Sequence, residues 1–326
     1  MNKAQRHFSA RQYEENERKT KYHRSVLTRK ILEFLITTDD GIYVDATIGD
    51  GGHSLEILKH TKNAKIIGID KDIQAVETAK KKCKLFGNRI SIYYGDFADV
   101  EKIVRDDAGY EFIDGILFDL GLRSEMLENS DRGFSFKKEG LLDMRFDRNS
   151  SKTAYIVVNR YSEKKLTSIF HDFADLRNAR NIAKKIIAAR QKKPITTTTE
   201  LAEIVAKDVP IRRRNDFLAK IFQAIRIEVN DELDKLRKAL ESSLEILASG
   251  GRIAVITYHS GEDRIVKNFF TTETKDCICP PELPVCRCGH RRSLRIITKK
   301  PVLPSKEEIE KNIRARSAKL RVAEKL

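Results

Sequence analysis

A glycine-rich segment in the first third of the chain has residue types and spacing suited to binding a small molecule. Residues 44–53, VDATIGDGGH, place Gly49, Gly51 and Gly52 between an apolar run and a helical pattern. Glycines allow the backbone to approach a ligand closely, and the start of a helix offers free N–H groups. Asp70 ends the next apolar run, 19 residues after Gly51, where a carboxylate is placed to bind ribose hydroxyls. Together these features predict a site for a nucleoside-containing cofactor.

Two cofactors compete for this predicted site. A nicotinamide dinucleotide fingerprint requires Gly or Ala at the last position of G-x-G-x-x-G/A, and counting from Gly49 that position is Ser54. S-adenosylmethionine has no phosphate and does not require that turn. Phe97 follows the third apolar run and is placed to pack on the adenine, with plain core packing as an equal alternative. The pattern therefore favours S-adenosylmethionine over the cofactor of an NAD-dependent oxidoreductase.

Two further residues follow apolar runs at the edge where open α/β sheets bind ligands. Asp119 closes the run GILFD and is a candidate for contact with the cofactor or the acceptor, the alternative being a helix cap or a surface turn. His259 comes shortly after the run RIAVIT and is a candidate for orienting a base or a phosphate, with a structural histidine as the alternative. We expect Asp119 and His259 to be the catalytic residues.

The elements that must position these residues alternate along the first part of the chain. Short apolar runs predict strands at 42–46, 65–70, 90–94 and 115–120. Apolar residues at helical spacing predict helices at 25–36, 52–60 and 72–84. Alternation of continuous apolar strands with helices is typical of a parallel, doubly wound α/β sheet.

The pattern becomes helical between about 124 and 230. Helical spacing is found at 179–190, and Thr197 and Glu200 have capping-box spacing ahead of a helix at 201–206. An apolar stripe then runs through 217–247.

The sheet pattern resumes near the C-terminus, with a strand at 252–257, a helix at about 262–270 and a closing strand at 318–323. We therefore predict a core formed by 25–124 and 231–326. The helical block at 125–230 would be an insertion into that core, and residues 1–24 a basic N-terminal arm.

The charge of the chain indicates a polyanionic partner. Lys and Arg outnumber Asp and Glu by 63 to 48, for a net charge of +15, and phosphate contacts are made mainly by these cations. The plainer alternative is a basic protein without such a partner. The first 25 residues lack the apolar segment of a signal peptide, and no apolar run approaches the roughly 20 residues of a membrane helix. We expect a cytoplasmic protein that binds nucleic acid and no membrane.

Four cysteines form a cluster near the C-terminus. Cys277, Cys279, Cys286 and Cys288 have the pattern C-x-C-x6-C-x-C, followed by His290. Four thiolates can hold a tetrahedral zinc ion. The spacing differs from the commoner C-x-x-C pairs, so a reduced, metal-free cluster remains an alternative.

The ordered motifs of the chain resemble those of one family. The motifs are DATIGDGGHS (45–54), IDKD (69–72), DLGLRS (119–124), RGFSF (132–136), LDMR (142–145), FQAIRI (222–227), YHSGEDR (258–264) and RARSAKLR (314–321). They are similar to those of the RsmH/MraW family, which methylates N4 of a cytidine in bacterial 16S ribosomal RNA. The resemblance runs from His23 to the C-terminus.

The resemblance implies a class I methyltransferase fold with a helical insertion after the fourth strand. It implies S-adenosylmethionine as the cofactor and a cytidine in the decoding region of the small ribosomal subunit as the acceptor. The cofactor contacts would be Gly51, Gly52, His53, Asp70, Phe97 and Asp119. A non-catalytic small-subunit assembly factor with the same fold is the main alternative, and the sequence leaves a homodimer open.

The insertion contains the candidates for RNA contact. The target base must be unpaired or extruded from a helix before it can react. Phe134 and Phe136, next to Arg132, are predicted to stack on it. Core packing of both rings is the alternative. Arg226 is a further predicted substrate contact.

The cytosine amine is a poor nucleophile because its lone pair is delocalised into the ring. Asp119, or backbone carbonyls near Leu120, would accept from its N–H groups, and positioning would supply most of the rate. The chain departs from the family pattern at three places: Met126 replaces a usual Gln, Lys220-Ile221 replaces Thr-Arg, and Gly261 replaces Leu.

Overall fold

A seven-stranded sheet lies at the centre of the protein. The computed structural model describes residues 25–280, 283 and 285–326, so the predicted arm at 1–24 lies outside the described residues. The strands are β1 (Ile42–Asp45), β2 (Lys65–Asp70), β3 (Ile90–Tyr94), β4 (Ile113–Asp119), β5 (Leu247–Thr257), β6 (Leu294–Ile296) and β7 (Lys319–Lys325). Their order in the sheet is β3-β2-β1-β4-β5-β7-β6.

Strands β1 to β5 are mutually parallel, whereas β7 runs antiparallel to both β5 and β6. The chain moves outward from β1 through β2 to β3 and then crosses to β4 on the other side of β1. This reversal between β1 and β4 creates the crevice at which such sheets bind ligands. The predicted parallel, doubly wound sheet is confirmed.

Thirteen helices connect or cover the strands within the part of the chain that the structure describes. They are α1 (Thr28–Leu35), α2 (Gly52–His60), α3 (Ile73–Cys83), α4 (Val100–Lys102), α5 (Ser124–Glu128), α6 (Ala154–Arg160), α7 (Glu163–Asp172), α8 (Ala179–Arg190), α9 (Thr198–Ala206), α10 (Ile211–Asn230), α11 (Glu232–Ile246), α12 (Ser260–Glu273) and α13 (Lys306–Lys311). Of the helices described, none has the length and apolar character needed to cross a membrane.

The strands are apolar throughout because both faces of the sheet are covered. On β4, Ile116 and Phe118 belong to one core cluster together with residues of α11 and α12. Leu117, between them, belongs to a second cluster with residues of α1 and α2. Successive residues of a strand point to opposite faces, so a continuous apolar run is what this sheet requires.

Residues 125–230 have an apolar core of their own. The fully buried members of this third cluster all lie between Met126 and Val229. The predicted capping box is confirmed at the start of α9, where Thr197 Oγ1 accepts from Glu200 N at 3.2 Å and Glu200 Oε2 accepts from Thr197 N at 3.1 Å. The described residues of this segment form no strand, only an isolated bridge between Leu141 and Thr197.

The structure adjusts several predicted boundaries. The apolar stripe at 217–247 spans two helices, because Asp231 adopts φ 54° and separates α10 from α11. Strand β5 begins at Leu247 instead of 252, and α1 begins at Thr28 instead of 25.

Candidate active site

A cavity of about 870 Å³ opens at the carboxyl ends of β1 to β5. Its lining includes most of the predicted cofactor and catalytic residues, namely Gly49, Gly52, His53, Asp70, Phe97, Asp119 and His259. The parallel strands bring them together, because each residue either ends a strand or follows one at the same edge of the sheet.

The glycine loop connects β1 to α2. Gly51 has φ 83° and caps the helix, a backbone conformation that glycine adopts without a Cβ penalty. It does not line the cavity: a Cβ there would lie 3.2 Å from Cys83 Sγ, against α3. At Gly49, which does line the cavity, a Cβ would meet no atom closer than 3.9 Å. The loop therefore leaves open space where a ligand can approach the backbone.

Asp70 is tied to this loop from the end of β2. Its Oδ2 accepts from Gly49 N at 2.9 Å, and its Oδ1 accepts from Asp72 N at 2.8 Å. Burial raises the pKa of Asp70 to about 6, against the opposing effect of these two hydrogen bonds. The carboxylate is thus fixed in position and only partly ionised near pH 6.

Asp119 forms the centre of a polar cluster at the end of β4. Its Oδ1 accepts from Tyr258 Oη at 2.8 Å, and its Oδ2 lies 3.4 Å from His53 Nε2. Its backbone N–H donates to Thr47 Oγ1 at 2.7 Å. The side chain remains 21% exposed, so the carboxylate is oriented by its neighbours yet accessible from the cavity.

His53 is buried between two carboxylates. Burial lowers the pKa of this imidazole, but the hydrogen bond and charge of Asp119, with the charge of Asp45, raise it overall. Asp45 is itself buried, which raises its pKa, and accepts from Ser54 Oγ at 2.7 Å. Its Nε2 faces Asp119 at 3.4 Å, and among the described residues its Nδ1 has no hydrogen-bond partner. His53 therefore links the two carboxylates at the cavity wall.

His259 lines the cavity but also caps α12. Its Nδ1 accepts from Glu262 N at 3.4 Å, and Glu262 Oε2 accepts from Tyr258 N at 2.8 Å. Its Nε2 lies 3.0 Å from Glu262 Oε1. His259 thus both caps α12 and lines the cavity, and its catalytic role stays a prediction.

The aromatic residues predicted at the site have different surroundings. Phe97 lines the cavity and packs edge-on against Phe118, with ring centroids 6.0 Å apart. Phe134 is only 6% exposed and stacks on Phe146 inside the helical segment. Phe136 packs against Phe222 in the same core. The structure corrects the placement of Phe134 and Phe136, which do not line the cavity because the core of the helical segment takes up their rings.

Arg132 is likewise turned inward. It is 5% exposed, and its Nη2 donates to the backbone carbonyls of Arg145 and Phe146 at 3.1 Å each. Arg226 does line the cavity, where its guanidinium forms a bidentate pair with Glu232, both distances 2.9 Å. The prediction that Arg132 contacts substrate is therefore corrected to a structural role. The prediction for Arg226 stays a prediction.

Two residues that the sequence analysis did not single out hold the site together. Tyr258 orients Asp119. The sequence feature that could have identified it is its position directly after β5, one residue before His259. Arg123 Nη1 donates to Asp72 Oδ2 at 2.8 Å and Nη2 to Asp50 Oδ1 at 2.6 Å, linking the glycine loop to the start of α3. Two departures from the family pattern also lie here. Met126 lines the cavity. At Gly261, an added Cβ would lie 3.2 Å from the His259 ring.

The sheet order with an antiparallel β7, the glycine loop after β1 and the carboxylate after β2 define a class of protein. They are the features of a class I S-adenosylmethionine-dependent methyltransferase. Within that class, the chain belongs to the MraW methylase family, whose model matches residues 20–326. The oxidoreductase alternative is therefore wrong.

Several relatives match over nearly their whole length. The chain is 51% identical to the ribosomal RNA small subunit methyltransferase H of Caldicellulosiruptor bescii, covering 93% of this chain and 99% of the relative. It is 50% identical to the protein of the same name from Carboxydothermus hydrogenoformans, covering 93% and 98%. The Clostridioides difficile protein of that name is 45% identical, covering 94% and 99%.

Proposed function

We propose that this chain methylates the exocyclic N4 amine of a cytidine in the decoding region of 16S ribosomal RNA. The acceptor is the small ribosomal subunit in the cytoplasm, and the methyl donor is S-adenosylmethionine. The observation that carries this proposal is Asp119, an accessible acceptor oriented by Tyr258 and His53 beside the glycine loop. Family membership and the names of the relatives support the ribosomal RNA substrate.

The residues of the cavity fit this cofactor. Asp70 is placed for the ribose hydroxyls, Phe97 for the adenine, and the turn at Gly49 and Gly52 with the start of α2 for the methionine part. The open space beside Gly49 leaves room for a ligand, and Nδ1 of His53 has no partner among the described residues. When bound, the cofactor supplies an electrophilic sulfonium methyl group.

Asp119 prepares the amine for attack. A carboxylate oxygen that accepts an amine N–H raises the electron density on nitrogen and stabilises the positive charge that develops there as the new bond forms. Tyr258 and His53 hold the carboxylate in one orientation, so little reorganisation is needed during the reaction. The proton that the amine loses passes to Asp119 or to solvent from there.

The helical segment is the part of the chain that we assign to RNA binding. We propose a division into a methyltransferase core of 25–124 and 231–326 and an RNA-substrate unit of 125–230, supported by the separate apolar core of that unit. Lys192 and Lys193 are exposed on this unit, as are Arg212 and Arg213 at the start of α10. Exposed cations of this kind gain affinity for a phosphate backbone by releasing its counterions.

The proposed function is tested with small subunits from cells that lack this protein. Incubation with the purified chain and labelled S-adenosylmethionine is expected to place one methyl group on a decoding-region cytidine, located by mass mapping of 16S RNA fragments. Free 16S RNA is the comparison substrate. Binding of the methyl donor and of the subunit without any transfer would instead identify an assembly factor.

Cofactor affinity is expected to fall with pH through the titration of Asp70. Its pKa of about 6 means that acidification converts the carboxylate to an acid, which can no longer accept freely from both backbone N–H groups and a ribose hydroxyl. The Kd for adenosine, measured by calorimetry, is expected to rise about tenfold per pH unit well below 6. Adenosine is the probe because the amino group of the complete cofactor also titrates.

Asp70→Asn provides the control for this pH dependence. It should bind adenosine weakly at pH 8 and lose most of the dependence near pH 6. If this variant keeps the wild-type pH profile, the titrating group is another one, with His53 as the next candidate.

A further inference from the structure

The chain between α12 and β6 brings four cysteine sulfurs together. Cys277 Sγ lies 3.4 Å from Cys286 Sγ and 3.8 Å from Cys288 Sγ, and the latter two are 3.5 Å apart. The ligand atoms of these three residues and Cys279 all lie within 4.8 Å of one another. We call this group the cysteine cluster.

These separations match the edges of a metal-centred tetrahedron. A tetrahedron with zinc–sulfur distances of about 2.3 Å has sulfur–sulfur edges of about 3.8 Å. A disulfide would require about 2.05 Å, and all four thiols are free. The sulfurs are therefore spaced for a shared ion and not for pairwise bonds.

Backbone N–H groups turn toward the sulfurs. Arg287 N donates to Cys279 Sγ at 3.3 Å, Cys279 N to Cys277 Sγ at 3.4 Å, and Ile278 N to Cys288 Sγ at 3.5 Å. Such donors stabilise thiolate charge and orient the ligands of a metal. Two of these bonds run between the C-x-C pairs, so the backbone of each pair donates to a sulfur of the other.

Apolar burial does not explain why this segment converges. Its apolar side chains are exposed, with Ile278 at 47%, Leu283 at 44% and Val285 at 67% of their surface. The base of the loop is closed by Ser293 N, which donates to Glu273 O at 2.9 Å. Between those ends, the contacts that hold the described residues of the loop include those of the cysteine cluster.

We propose that Cys277, Cys279, Cys286 and Cys288 bind one zinc ion as a structural site that folds the loop between α12 and β6. Four thiolates fill the coordination sphere, so the site has no open position for a substrate. None of the four lines the active-site cavity. Leu294, the first residue of β6, pairs with Lys325 of β7, and the neighbouring Glu324 pairs with Arg252 in the first half of β5. The cavity lies at the other end of β5, so β6 begins at the opposite edge of the sheet.

The experiment measures metal content of the untagged, full-length protein by mass spectrometry. About one zinc per chain is expected for the wild type, and less than about a tenth of that for the double variant Cys279→Ser/Cys288→Ser. Cys83→Ser is the matched control, because Cys83 is a buried thiol in α3 outside the cluster, and it should keep the full zinc content. Retained S-adenosylmethionine binding by the double variant shows that the fold survives.

If the double variant fails to bind the cofactor, cobalt substitution of the wild type tests whether the four cysteines bind a metal. A thiolate-to-cobalt charge-transfer band with tetrahedral ligand-field absorption supports the proposal, and its absence overturns it. A wild type without zinc, or a double variant that retains it, also overturns the proposal. So does the detection of disulfides among these cysteines in protein alkylated during lysis.

Discussion

Replacing Asp119 with Asn is expected to lower kcat for methylation by about 10²–10³-fold, the range found when a single positioned acceptor or donor is removed from a reacting centre. The amide keeps the size of the side chain but turns one oxygen into an N–H donor. A donor facing the amine of cytosine opposes its N–H group, so the lone pair is no longer localised for attack. Single-turnover methylation of small subunits with saturating cofactor measures the effect.

Asn is a better test than Ala because of the neighbours of Asp119. Alanine would leave the Tyr258 hydroxyl, whose pKa is raised by burial and by the Asp119 charge, without its acceptor. It would also leave His53 without its closest carboxylate. Asp119→Ala should therefore lose activity and stability together, whereas Asn separates the two.

The ratio of effects on kcat and KM distinguishes the two roles predicted for Asp119. Loss of a residue that only binds the cofactor would raise KM for S-adenosylmethionine and leave kcat at saturation nearly intact.

Tyr258→Phe removes only the hydrogen bond that orients Asp119, and about a tenfold loss of kcat is expected from it. Asp99→Asn, an exposed carboxylate paired with Lys238, is the surface control. Wild-type turnover by Asp119→Asn would refute the assignment.

Local sequence carried enough information to predict most of the sheet and the cofactor side of the site. Strands covered on both faces need continuous apolar runs, and Asp70 and Asp119 are the last residues of two such strands. Because parallel strands end at one edge, their proximity follows from the topology. No distant contact had to be known to place them together.

The residues that were misplaced depend on contacts across the fold. The motif RGFSF has the composition of a nucleic-acid-binding loop, but Phe134 stacks on Phe146 and Arg132 bonds to carbonyls at 145 and 146. Tyr258 gained its role only through a hydrogen bond to a residue 139 positions away. The spacing of the motifs predicts neither arrangement, because the spacing of residues within a loop does not determine which distant residues they contact.

The same motif leads to the largest effect on stability that we expect. Gly133 has φ 67°, and a Cβ at this position would lie 2.1 Å from Leu141 O and 3.0 Å from Asp143 N. Both are backbone atoms, so no side-chain rotation relieves the contact. Gly133→Ala is expected to lower the free energy of unfolding by about 3 kcal/mol or more, in the range of strained backbone combined with overpacking.

Gly109→Ala separates strain from the clash. Gly109 has a similar φ of 76°, but a Cβ there would meet nothing within 4 Å, so only the left-handed conformation opposes the substitution, at about 1 kcal/mol. Urea denaturation of both variants, followed by circular dichroism, gives the two losses under the same conditions. Equal losses of unfolding free energy in the two variants would contradict the predicted clash, because the backbone of residues 141–143 would then move aside without an energetic penalty.

The Gly133 clash should also reach the active site. Displacement of residues 141–143 is expected to shift the nearby Phe146, which lines the cavity. The centroid of its ring lies 4.9 Å from Lys71 Nζ. Gly133→Ala is therefore expected to weaken cofactor binding at temperatures where the protein is still folded, and Gly109→Ala is not. Calorimetric titration with S-adenosylmethionine below the unfolding transition tests this link. Identical affinities in the two variants would show that the helical segment holds its core without supporting the cofactor.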